Sequence, residues 1–200
     1  MMGNLKADEI EDVLRSEVIG RIACVADGWP YIVPVTYVYD GGAVAPSLLW
    51  CRRMMGNLGV DEIEDVLRSE IIGRIGCIAD GWPYIVPVTY VYDGGEFVFA
   101  HAAEGEKVAA MRKNPQVCFE VEQIRNVSNW RTVITRGLFE ELPRDAEERA
   151  MDLLAGKFAW VRPGEQPRDR QEEIHRRAGI VRPVLFQIRI LDRFGRFELS

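Results

Sequence analysis

Residues 73–122 read GRIGCIADGWPYIVPVTYVYDGGEFVFAHAAEGEKVAAMRKNPQVCFEVE. The runs IIGRIGCIA (71–79), YIVPVTYVY (84–92) and EFVFAH (96–101) are rich in β-branched and aromatic residues. Asp80-Gly81-Trp82-Pro83 and Asp93-Gly94-Gly95 separate them, which predicts three antiparallel strands in a meander. Residues 104–113 then place Val108 and Met111 on one helical face and stop at Asn114-Pro115, because the residue before a proline is pushed out of the α region. QVCFEVEQI (116–124) alternates and supplies a fourth strand.

Upstream, DEIEDVLRS (61–69) puts Ile63, Val66 and Leu67 at i, i+3 and i+4, a short amphipathic helix with Asp61 as expected N-cap and Glu64 three residues on. Downstream, WRTVITRGLFEEL (130–142) and VLFQIRIL (184–191) supply strands five and six. A helix over 146–155 and a Pro- and charge-rich stretch, residues 160–179, lie between them. Six strands with few helices predict a mainly β chain, a six-stranded antiparallel barrel that is closed or partly open. Pro87 inside the second strand cannot donate to a ladder. It marks either a sheet edge blunted against aggregation or a backbone opened toward a ligand.

Sliding the chain by 53 positions aligns Met1–Gly42 with Met54–Gly95, and five of the 42 pairs differ: Lys6/Gly59, Ala7/Val60, Val18/Ile71, Ala23/Gly76 and Val25/Ile78. The match includes solvent-type residues, which marks a tandem duplication and not a repeat architecture. Copy one continues as AVAPSLLWCRR and lacks counterparts of residues 96–200. Residues 1–53 therefore form an appendage, a partial copy of the barrel N-terminus that could be artefactual, and residues 54–200 form the barrel domain. Two strands and a helix rarely hold together alone, so copy one docks on an edge of the barrel, displaces copy two in a swapped arrangement, or stays loosely ordered. Whatever the barrel binds, that binding is expected to survive loss of residues 1–54.

The composition excludes several classes. With 48% hydrophobic and 28% charged residues among 200, the chain is of ordinary globular type. A net charge of −6 argues against nucleic acid as the main partner. No apolar run reaches the roughly 20 residues of a membrane span, and the N-terminus lacks a signal-peptide layout, so the expected address is the cytoplasm. Cys24, Cys51, Cys77 and Cys118 show neither CxxC spacing nor neighbouring histidines, and no metal site is predicted.

GxSxG, P-loop, GxGxxG and HExxH signatures are absent, so any chemistry must come from a cofactor. HAAEGEKVAAMR (101–112) is the best anion site: a strand ends at His101, small residues allow close approach, and Lys107 lies in the first turn of a helix. Taken alone, a lysine such as Lys107 is more often a solvated surface charge, and a histidine such as His101 more often a hydrogen-bonded structural one.

Residues 62–141, with their "DG-P-VP-Y" strands followed by "F-H-A-EG-K-A-MR-NP-V-F", resemble the pyridoxamine 5'-phosphate oxidase-like FMN-binding split barrels, nearest the nitroimidazole-reductase-like branch. The resemblance implies a homodimer with FMN at the subunit interface and a small-molecule, nitro-aromatic substrate. It implies that Val86, Pro87, Val88 and Thr89 run along the isoalloxazine and that His101, Ala102 and Lys107 hold the phosphate end, with His101 beside the flavin as the catalytic candidate. It further implies that Trp130 and Arg131 approach from the partner subunit, although Trp130 also fits a core or interface aromatic. Ala102 departs from the family's usual Ser, Thr or Gly. A non-catalytic flavin- or haem-binding sensor of the same fold, or a deazaflavin protein, is the alternative. Trp160 and the stretch 162–177 with His175 could form a lid or a solvated helical excursion.

Overall fold

The structure is a computed structural model that describes residues 4–46, 54–159 and 183–199; the stretch proposed as a lid lies outside them. Copy one contributes α1 (Ala7–Ser16), β1 (Ile19–Ala26), β2 (Trp29–Tyr39) and β3 (Val44–Pro46). The rest comprises β4 (Met54–Asn57), α2 (Val60–Ser69), β5 (Ile72–Ala79), β6 (Trp82–Tyr92), β7 (Phe97–Ala102), α3 (Glu106–Lys113), β8 (Gln116–Asn126), β9 (Asn129–Glu141), α4 (Arg144–Ala159) and β10 (Val184–Leu199).

Strands β5 to β10 close a six-stranded antiparallel ring in the order β10-β7-β6-β5-β8-β9, sealed by β9 pairing with β10, while β4 adds to the outside of β10. This is the barrel expected from the sequence. The β5–β6 turn is a two-residue hairpin in which Asp80 and Gly81 both take positive φ, 47° and 86°. That geometry matches the twist of the flanking strands, so Trp82 and Pro83 belong to the strand and not to the turn.

Strand β6 pairs with β7 only through Tyr90–Tyr92. Pro87 sits in the stretch open on that side, where its missing N–H breaks no ladder. Two other boundaries moved. Helix α2 starts at Val60, with the Glu62 carboxylate accepting the Gly59 N–H at 2.9 Å, so Gly59 and not Asp61 is its N-cap. Strand β10 runs to Leu199, past Asp192 and Gly195, with a register shift between Ile190 and Asp192.

Ile75, Val88, Tyr90, Val98, Val108, Met111, Phe119 and Phe186 fill the barrel together with Ile63, Val66 and Leu67 of α2. Helix α4 covers an outer patch formed by Phe97, Phe99 and Leu185. Copy one forms a separate three-stranded sheet, β1-β2-β3, that stacks on the barrel's outer face instead of extending a sheet edge. Ile32 is 0% exposed there, packed with Cys118 and Ile134, and it lies over Gly76.

Candidate functional site

The sequence-predicted site residues fall into two groups. In the first, β7 ends in His101 and Ala102 and leads into α3. Ala102 is packed into the main core, so it offers backbone and no side chain to a ligand. Lys107, in the first turn of α3, is half-buried, and burial lowers its pKa. No hydrogen bond or ion pair joins the side chain of Lys107 or of His101 to a described residue. Glu104, three residues before Lys107, is already committed to Arg112 in a two-point contact at 2.8 and 2.9 Å. Burial, then the Lys107 charge, holds the His101 pKa below its ordinary 6.5. Cys77, near Lys107, is pushed up to about 11 chiefly by burial, which makes it a neutral thiol and no nucleophile. A desolvated cation beside a neutral imidazole, with no carboxylate neutralising it, fits an anion.

The second group lines a cavity of about 160 Å³ between the barrel and copy one. Its barrel wall includes Trp130, Arg131, Thr132, Ile124, Glu122 and Glu198, and its other wall is Ile19 with Pro34, Val35 and Thr36. Trp130 Nε1 donates to Glu198 at 3.1 Å, which fixes the indole. Arg131 stands 4.0 Å from Glu62. Glu122 Oε2 is buried with no hydrogen-bond partner among the described residues, as is Nε of Arg21, whose guanidinium pairs with the same carboxylate.

Pro34, Val35 and Thr36 are the duplicates of Pro87, Val88 and Thr89. The structure thus sets this strand motif against Trp130 and Arg131, and it does so with the first copy. Val86–Thr89, His101, Ala102 and Lys107 are not part of the cavity wall. Pro87 is exposed and Thr89 half-buried on the barrel exterior, while Val88 belongs to the core. Sequence reasoning gave copy one no part in the site because it lacks His101 and Lys107. The signal that could have placed it there is the identity of its strand with the motif expected to meet Trp130.

Beside the cavity lies a polar cluster. Arg74 reaches Glu122 at 2.8 Å and Glu120 at 3.3 Å, Thr132 donates to Glu120 at 3.0 Å, and Arg21 pairs with Glu122. Burial raises the Glu120 pKa against the opposing pull of Arg74. Arg21 and Arg74 are duplicates of one another, and both converge on the same two carboxylates.

A closed six-stranded barrel with this arrangement is a split barrel of the pyridoxamine 5'-phosphate oxidase type. The family profile described as pyridoxamine 5'-phosphate oxidase matches residues 6–48 and again 59–185. The chain belongs to that family. An uncharacterized protein of Rhizobium meliloti (strain 1021), RA0666, is 32% identical over 109 residues, 52% of this chain and 72% of that one. The crystal structure of an FAD-binding protein from Mesorhizobium loti is 26% identical with a TM-score of 0.56, over 74% of this chain and 99% of that one. A candidate 5-nitroimidazole antibiotic resistance protein from Bacteroides thetaiotaomicron VPI-5482 shares the fold at 16% identity and a TM-score of 0.56, over 78% and 95% of the two chains.

Proposed function

We propose that the chain is an FMN-dependent oxidoreductase that reduces small nitro-aromatic molecules. Its complete site forms between two chains of a homodimer: Pro87–Thr89, His101 and Lys107 come from one, and Trp130 and Arg131 from the other. The observation that carries this reading is the cavity in which the Pro-Val-Thr strand motif faces Trp130 and Arg131. Family membership and the FAD-binding relative from Mesorhizobium loti support a flavin as the ligand.

The residues present match a flavin in kind. Lys107 and the N-terminal amides of α3 hold a phosphate. Trp130, Ile124 and the proline strand give apolar walls that exclude water. Glu122 Oε2 accepts from an N–H, and the Arg131 guanidinium donates to a carbonyl and stabilises negative charge. The imidazole of His101, neutral at pH 7, holds or passes a proton. When bound, the flavin supplies two electrons and two protons per turnover, which convert a nitro group to a nitroso group and water.

The test is anaerobic: load the protein with FMN, reduce it, and add a nitroimidazole first and oxygen, the general oxidant, last. Rapid reoxidation by the nitroimidazole is the expected result. A flavin that the nitroimidazole leaves reduced makes the protein a binding module of the same fold and overturns the enzymatic reading.

A further inference from the structure

Strand β1 lies against β6, while β2 lies chiefly against β8 and also reaches β5, so the two near-identical hairpins stack outer face to outer face with their strands exchanged. This is the pattern of an isologous contact, in which a surface binds a copy of itself. Ile32 sits over Gly76, and their duplicates, Ile85 and Ala23, pack at the rim of the same cluster. Arg21 and its duplicate Arg74 share Glu122.

The copies differ in what they leave exposed. On copy two, Trp82 and Ile72 are 77% and 56% exposed, whereas their duplicates Trp29 and Ile19 are half-buried on copy one. Every hairpin residue on the cavity wall or in the ion cluster has an identical counterpart in copy two: Ile72, Arg74, Pro87, Val88 and Thr89. The one substitution beside Ile32's seat, Ala23 for Gly76, breaks the symmetry within the chain. Two chains paired through copy two would carry glycine at both positions.

We propose that the β1–β2 hairpin is a tethered competitor for a self-association face. The outer face of β5, β8 and β9 recognises the outward side of this hairpin sequence, and copy one fills it within the chain. The β5–β6 hairpin of a second molecule fills it once copy one is loosened. Tethering gives copy one an effective concentration on the order of millimolar, so it holds the face at micromolar protein. Resting on the functional reading above, the exchange is also what brings the His101–Lys107 segment of one chain to Trp130 and Arg131 of the other, since copy one carries no such segment.

The test uses the full chain with Ile32→Asp, which removes copy one's anchor and leaves the barrel's own strands untouched. Sedimentation at micromolar concentration is expected to show a one-chain mass for the wild type, a two-chain mass for Ile32→Asp, and a one-chain mass again for Ile32→Asp/Ile85→Asp. Three results would overturn the proposal: a wild type already at two-chain mass that Ile32→Asp does not change, a folded Ile32→Asp at one-chain mass, or a double variant that stays paired. Should Ile32→Asp aggregate, Arg21→Glu is the milder release, with a tenfold stronger monomer–dimer association expected and an unchanged constant contradicting the idea. FMN is expected to bind the paired Ile32→Asp protein at least tenfold more tightly. Pairing without that gain upholds the exchange and overturns only the placement of the flavin between chains.

Discussion

In the proposed function Lys107 and His101 serve the phosphate end of the ligand, and each makes a prediction. Lys107 is a half-buried cation with no described carboxylate on it, so a bound phosphate replaces lost solvation. Charge-assisted contacts of this kind are worth about 1.5–3 kcal/mol. Lys107→Ala is therefore expected to weaken FMN binding by roughly 10- to 150-fold while leaving the thermal unfolding midpoint nearly unchanged; equal affinity in the variant removes Lys107 from the site. His101 is one of two histidines in the chain, so its proton resonance is readily assigned with a His101→Asn variant. Burial and Lys107 lower its pKa, and the fold disfavours its protonated form. Its contribution to stability is present above the unfolded value of 6.5 and is lost as pH falls through the lower folded value. NMR titration is expected to give a midpoint below 6.5 in the ligand-free protein, shifting upward when phosphate is added. A midpoint above 6.5 without ligand contradicts the burial.

At the scale of elements, α1 and α2 form a controlled comparison. Both are ten-residue helices sharing DEIEDVLRS, both close with a glutamate accepting the N-cap amide, and both precede hairpins with a positive-φ Asp-Gly turn. Local structure was legible in the sequence, apart from the N-cap position, because apolar spacing and turn chemistry are properties of the segment itself. Burial is not. Ile63 is 6% exposed on α2, and its duplicate Ile10 is 45% exposed on α1. Ile63→Ala is accordingly expected to cost about 2–4 kcal/mol, and Ile10→Ala within about 0.5 kcal/mol, both read from chemical denaturation. Equal costs would mean that α1 packs as α2 does. The far half of β10 escaped sequence reading because Asp192, Arg193 and Gly195 break the strand pattern. The structure needs the glycine: a Cβ at 195 would come within 2.9 Å of Leu58 and Ile63, where α2 closes over the strand.

For the whole molecule, a six-stranded antiparallel barrel followed from the strand count and the hairpin signals, and its closure, left open by the sequence, comes from β9 pairing with β10. The site was legible only in part. The strand-turn-helix holding His101 and Lys107 is local, so its residues could be named in advance. The cavity depends on which surface meets Trp130, a tertiary choice between two hairpins of nearly one sequence, and nothing in either copy's pattern states the outcome. Family membership and geometry together make flavin binding the central claim. The direct measurement is the visible absorption spectrum of the full chain after incubation with FMN and removal of free ligand, followed by mass spectrometry of what heat releases. The account predicts a flavin band retained by the wild type, strengthened by Ile32→Asp and diminished by Lys107→Ala, with FMN as the released molecule. A protein that stays colourless in all three forms would contradict it.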